Sequence, residues 1–274
     1  MKKLGEISAL IDNLGLFVKQ EIIEEFSDWS VNQRDATLLI NGNVSTVLRN
    51  VLPDKSVDLV ITDPPYFDQV AYSEYLKLWE FFTGFTSNLE DEIVESSRVG
   101  ASKTRVKFIA DLCEAFKAIR KSMKTGAIAL VYFKDSKPSN LHDFIFCLER
   151  AGLQYVSQVH LPKSTYTYKQ NASQENTVGG DAIMIFEAGN QTVRDEPKAT
   201  ASLSELDAFF LELLGEYISS HGPSTLTSAL DNLLISRLYP TGYLSQIKTS
   251  GHFARIASQK FDFDPVTRQW SHLK

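Results

Sequence analysis

Ser56-Val57-Asp58-Leu59-Val60-Ile61-Thr62-Asp63-Pro64-Pro65-Tyr66 is an apolar run stopped by two prolines. Such a run, bounded by a prolyl turn, predicts a buried parallel strand that delivers polar side chains to the carboxyl edge of a sheet, the edge at which open α/β folds bind ligands. Successive prolines fix φ and lack the N–H that a ladder needs, so the turn is stiff and its carbonyls stay available as acceptors. An acceptor carboxylate (Asp63), a free carbonyl (Pro64, held by Pro65) and a flat aromatic face (Tyr66) then stand side by side.

This trio suits the holding of an exocyclic amine on a planar ring. Asp63 and the Pro64 carbonyl each accept one N–H, drawing the nitrogen towards a more nucleophilic geometry, while Tyr66 stacks on the ring. A base paired inside a duplex does not offer that edge, so the nucleotide must be flipped out or single-stranded.

The motif resembles that of the S-adenosylmethionine-dependent amino-methyltransferases acting on adenine N6 or cytosine N4 of DNA. The longer string SVDLVITDPPYFDQVAYSEYLKLWEFF, Ser56 to Phe82, is most similar to the large prokaryotic adenine-specific DNA methylases. The resemblance implies S-adenosyl-L-methionine as methyl donor, DNA as substrate, and Asp63, Pro64, Pro65 and Tyr66 as catalytic residues. Asp in first place points to adenine, since cytosine N4 enzymes often have Ser there. RNA base methylation is a variant with the same chemistry.

The fold class expected is α/β: a Rossmann-like methyltransferase sheet, incomplete, followed by a small helical, winged-helix-like module. Residues 1–30 read as an amphipathic helical lead-in, from Ile7, Leu10, Ile11, Leu14, Leu16, Phe17, Ile22 and Ile23. Residues 31–190 form the catalytic part. Within it, Ala36 to Ile40 is a strand, Val44 to Val51 a helix and Val57 to Thr62 a strand, the alternation of a parallel sheet. Helices follow over Tyr72 to Phe82, Val106 to Met123 and Leu141 to Leu148, with strands over Ala127 to Phe133, Tyr155 to Leu161 and Ala182 to Phe186. In the resembling family the sheet ends with two antiparallel neighbours, and this last pair stands in that place. Gly189 to Thr200 is the best linker. Residues 201–274 carry helices over Leu203 to Ile218 and Leu226 to Leu238, then two strand-like pieces around Asp264-Pro265-Val266-Thr267.

Asn43 stands where the resembling family has an aspartate that bonds the cofactor's adenine amine, and Asp63 borders the same place. Asn43 either accepts that bond through its amide oxygen or is a turn asparagine beside Gly42. Asn41 is a weaker residue of the same kind. A glycine-rich strand-to-helix turn, which lets backbone approach the methionine part of the cofactor, is missing. In the resembling methylases that turn lies upstream of the motif, so residue 1 falls just after it. The chain therefore reads as the catalytic, carboxyl-terminal part of a methyltransferase whose cofactor-binding part is missing, split onto a partner chain carrying the glycine-rich motif, or degenerate. The alternative is a catalytically silent remnant or subunit that binds nucleic acid or protein.

Net charge is −6, from 28 Lys and Arg against 34 Asp and Glu, which argues against indiscriminate coating of nucleic acid. Basic residues nevertheless concentrate after the motif: Arg98, Lys103, Arg105 and Lys107, then Lys117, Arg120, Lys121 and Lys124. They either follow a phosphate backbone or form a solvated helix face. Tyr166 and Tyr168, in the polar loop Lys163 to Gln174, either stack on bases or belong to a plain surface loop. Cys113 and Cys147 read as buried packing residues rather than a disulfide or redox pair. Five histidines are scattered without zinc-ligand spacing, so no metal is implied. No stretch approaches a membrane span and the amino terminus lacks a compact apolar core, which places the chain in the cytoplasm.

Overall fold

The computed structural model describes residues 21–23, 36–38, 40, 42–67, 72–84, 92–96, 103–133, 135, 137–161, 181–189, 195–249 and 251–273. Two short strands, β1 (Glu21–Ile23) and β2 (Ala36–Leu38), pair parallel with each other. Helix α1 (Val44–Val51) leads to β3 (Val57–Thr62) and α2 (Tyr72–Thr83). Next come α3 (Arg105–Ser122), β4 (Met123–Phe133), α4 (Pro138–Arg150), β5 (Leu153–Leu161) and β6 (Asp181–Ala188). The carboxyl-terminal part holds α5 (Leu203–His221) and α6 (Leu226–Leu233), then α7 (Tyr243–Gln246), α8 (Gly251–Ala257) and the hairpin of β7 (Phe261–Asp264) and β8 (Gln269–His272).

Four strands make the main sheet, in the order β3-β4-β6-β5. β3 and β4 are parallel, with Thr62 opposite Val131, and β6 runs antiparallel to both of its neighbours. The antiparallel end anticipated from the sequence is present. β3 is an edge among the described strands, and its carboxyl end lies level with that of β4.

One face of this sheet carries the core. On β4 the residues Ala127, Ala129, Val131 and Phe133 are buried in alternation, as a period of two requires, and Met184 and Phe186 continue the layer on β6. The apolar stripes of α3 (Phe108, Leu112, Phe116) and α4 (Phe144, Ile145, Leu148) cover it. Phe144 stacks flat on Phe133 at 3.8 Å between ring centroids. The buried cluster continues into α5, α6, α7 and α8. Gly152, at φ 89°, turns the chain from α4 into β5 through the left-handed region that glycine favours.

Four expectations change. Ile22 and Ile23, assigned to a helical lead-in, lie in β1, in keeping with the strand preference of β-branched pairs; residues 1–20 and 24–30 lie outside the described residues. The strand at Ala36 joins β1 and not the main sheet. Cys113 and Cys147 are buried as expected, but they meet sulfur to sulfur as a disulfide with their Cα atoms 5.3 Å apart. They stand on facing stripes of α3 and α4, two helices packed on the same sheet face. Residues 195–200, inside the anticipated linker, are held: the Pro197 carbonyl lies 3.2 Å from His142 Nε2, and Ala199 packs against the core. No helix among the described residues is long and apolar enough to cross a membrane.

Candidate active site

β3 ends at Thr62 because neither Pro64 nor Pro65 has an N–H for the ladder. Asp63 is exposed, Pro64 is buried, and Pro65 and Tyr66 are half-buried. The Tyr66 hydroxyl donates to Asp63 Oδ1 at 2.7 Å, and its ring stands edge-on to Phe133 at 5.3 Å. Asp63 and Tyr66, each expected to act separately on a bound base, here hold each other. A carboxylate offers about four acceptor positions over its two oxygens, so one bond from Tyr66 leaves capacity for an amine.

Phe67 anchors the motif from behind. It is 4% exposed and lies edge-on to Phe108 at 4.9 Å, while the Arg105 guanidinium sits 4.4 Å above its ring. Arg105 Nη2 also donates to Asn140 Oδ1 at 2.8 Å and Asp143 Oδ2 at 2.6 Å. Burial would raise the Asp143 pKa, but hydrogen bonds from His142 and Arg105, with their charge, hold it below the ordinary carboxylate value. Arg105 thus braces the start of α3, α4 and the motif together.

The neighbouring basic residues are engaged in a similar way. Lys107 pairs with Asp111 at 2.5 Å, Lys103 Nζ donates to the Glu92 carbonyl, and Lys124 pairs with Asp58 at 2.6 Å. Arg120 is buried and donates to the Gly152 carbonyl at 3.2 Å and to that of Gly189. Acidic side chains and backbone carbonyls of this same chain thus lie against these basic residues. Arg98, Tyr166, Tyr168 and Asn41 lie outside the described residues.

Asn43 caps α1, its side-chain oxygen accepting from Ser45 N at 2.9 Å. That is the turn reading of this residue. A Cβ on Gly42 would run into Val47, so the turn before α1 tolerates only glycine. Among the described residues no glycine-rich strand-to-helix turn lies beside Asp63, and Asn43 spends an acceptor on its own helix. The described residues therefore supply no glycine-rich cradle for S-adenosyl-L-methionine. No group of three or more His, Cys, Asp or Glu able to hold a metal ion is found among them either.

One residue escaped the sequence reading. Asp135 lies two positions beyond β4, at the carboxyl edge that also carries Asp63, and accepts from Lys137 N at 2.7 Å and Asn140 Nδ2 at 2.8 Å. Burial pushes its pKa up, and those two bonds offset part of the rise. The available signal was the apolar run Ala127 to Phe133: parallel neighbours end at the same edge, so the residues just past each are close. Elsewhere, a cavity of about 400 Å³ lined by Glu149, Tyr155, Asp195 and Tyr239 opens near the amino end of β5, on the other side of the sheet from the motif's edge.

No protein-family profile matches the chain, and no curated protein does. Among solved structures it is similar to TTHA0409 of Thermus thermophilus, described as a candidate DNA modification methylase. The selenomethionine derivative of that protein shows 13% identity over 63% of this chain and 61% of that one, with a TM-score of 0.31. The same protein complexed with S-adenosyl-L-methionine shows 15% identity over 63% of each chain, with a TM-score of 0.32. The chain spans less than two thirds of the length of these structures. At this level the likeness carries no argument, and the functional reading rests on the site.

Proposed function

We propose that this chain is the catalytic part of an amino-methyltransferase that moves a methyl group from S-adenosyl-L-methionine to an exocyclic amine of a DNA base, adenine N6 in preference to cytosine N4. The observation that carries the reading is the placement of Asp63-Pro64-Pro65-Tyr66. It stands at the carboxyl end of an edge strand parallel to its neighbour, with Asp63 exposed and Tyr66 braced on Phe133. Asp63 and the Pro64 carbonyl would accept the two N–H groups of the amine. The Tyr66 ring would stack on the base once its hydroxyl turns from Asp63, and Arg105 and Phe67 keep the motif in place. Orientation of the amine is this chain's contribution; direct displacement needs no covalent intermediate. The helices and hairpin after residue 201 serve as a winged-helix-like module packed on the catalytic sheet.

A second reading has its own observation. The Tyr66 hydroxyl occupies Asp63, as it would in a catalytically silent subunit that keeps the motif for its fold. The two readings part on the DNA of cells with and without the gene. Nucleoside mass spectrometry showing loss of N6-methyladenine on deletion supports the enzyme; loss of N4-methylcytosine instead changes the base, and no change in any methylated base supports the silent subunit.

A further inference from the structure

The cavity of about 400 Å³ near the amino end of β5 lies where the sheet meets the carboxyl-terminal helices. Its size falls within the ~300–1,000 Å³ of small-molecule sites. The floor is formed by Glu149, in the last turn of α4, which is 7% exposed and accepts from the Tyr239 hydroxyl at 2.9 Å. Asp195 is exposed at the mouth. The rings of Tyr155, Tyr239, Pro197 and Pro240 make up most of the remaining wall. Among the described residues, no lysine or arginine belongs to this lining.

Two irregularities of the backbone border it. The ladder between β5 and β6 shifts register between Tyr155 and Ser157, so the strand bulges at Val156, in the cavity wall. After α6 the helix widens into a π turn, Leu234–Leu238, and then tightens into a 3₁₀ turn, Tyr239–Thr241, which together bring Ser236, Tyr239 and Pro240 to the cavity. Bulges and π turns interrupt the hydrogen bonding that a regular strand or helix keeps, and both are concentrated beside functional sites. The walls are also braced from outside. Tyr155 stands edge-on to Phe186 at 5.8 Å, and the Pro197 carbonyl lies 3.2 Å from His142 Nε2.

We infer that this cavity binds a small organic cation, an alkylammonium of the diamine or polyamine class. An ammonium group donates up to three N–H bonds and is attracted both by carboxylates and by the faces of tyrosine rings. A carboxylate offers about four acceptor positions, so Glu149 can serve an ammonium as well as Tyr239. The methylenes of the ligand would lie against the prolyl and phenol rings and lose their contact with water. One carboxylate at the floor and one at the mouth suit a chain with an ammonium at each end, whereas a lysine side chain of another protein brings only one. A metal ion is poorly served: among the described residues no group of three or more His, Cys, Asp or Glu able to hold one is found. The cavity lies away from Asp63, and the inference is independent of the proposed methyl transfer.

Calorimetric titration of the full chain with putrescine and with spermidine tests the inference, at ~0.15 M ionic strength, where loose surface attraction is screened beyond about 8 Å. The expected result is saturable one-to-one binding of at least one of the two amines, with a thermal midpoint that rises with its concentration. Asp195→Asn, an exposed change, should weaken that binding about tenfold or more, the loss of one charged hydrogen bond. Glu149→Gln keeps an acceptor for Tyr239 and should weaken it at least as much. Asp58→Asn removes a carboxylate on β3, at the opposite edge of the sheet, and should leave the affinity unchanged. No saturation by ~1 mM of either amine, wild-type affinity in Asp195→Asn, or an equal loss in Asp58→Asn would overturn the inference. So would saturation by magnesium chloride in place of the amines, or binding of a lysine-bearing peptide and of neither amine, which would make the cavity a protein-docking slot.

Discussion

Replacing Asp231 by Asn should flatten the pH dependence of stability. In α6 this carboxylate lies against β5 and accepts from Gln158 Nε2 at 2.9 Å. Burial pushes its pKa from 3.8 up to about 7, the Gln158 bond offsetting part of the rise, and its charge together with burial raises the pKa of Tyr155. The sign follows from proton counting. Between about pH 4 and pH 7 the folded chain keeps a proton that the unfolded chain has lost, so stability falls as pH rises through that window and stays low above it. At ~1.4 kcal/mol for each pH unit, the rise corresponds to a loss of up to ~4 kcal/mol. Asn keeps the acceptor for Gln158 and carries no charge, so its variant should lack this loss and be the more stable of the two above pH 7. Urea midpoints at pH 5 and pH 8, followed by tryptophan fluorescence, measure the difference. Parallel pH profiles for the two proteins would refute the assignment of a buried, proton-holding carboxylate between α6 and β5.

Ser202 caps α5 in a reciprocal capping box with Glu205, so Ser202→Ala should cost about 1 kcal/mol in urea denaturation. Arg105→Ala should lower stability by roughly 1–3 kcal/mol, since it strips the charged hydrogen bonds from Asn140 and Asp143. Arg105→Lys should recover only part of that, because it lacks the planar fork, and thermal melts of the three proteins check the order. Tyr66→Phe removes the 2.7 Å bond to Asp63 and should change stability by less than ~1.5 kcal/mol while preserving base stacking. Methyl transfer that survives in Tyr66→Ala as well as in Tyr66→Phe would contradict the stacking role.

The features that the sequence made legible are local. Two prolines after an apolar run end a strand wherever they occur, and the stripes of α3 and α4 follow from a period near 3.6. The unread features depend on partners far along the chain. Arg105 reads as one more cation in a basic run; only the packing of α3 on α4 brings it to Asp143, 38 residues on. Cys113 and Cys147 stand 34 residues apart with nothing in their spacing to pair them. β1 has three residues, too few for a period of two to be distinguished from a helical one. The sequence sets Tyr66 and Asp63 side by side, but the hydrogen bond between them depends on the turn's backbone path, which Phe67, Phe108 and Arg105 fix from behind.

The central claim is that the carboxylate of Asp63 holds the amine that is methylated. It is tested most directly by replacing Asp63 with Ala on the chromosome of the cells that encode the chain and quantifying N6-methyladenine in their DNA by nucleoside mass spectrometry. Asp63 is exposed at the end of β3, so the variant should fold and accumulate as the wild type does. The expected result is the loss of the same N6-methyladenine that deletion of the gene removes. Methylation at the wild-type level in Asp63→Ala, in cells where deletion abolishes it, would contradict the account.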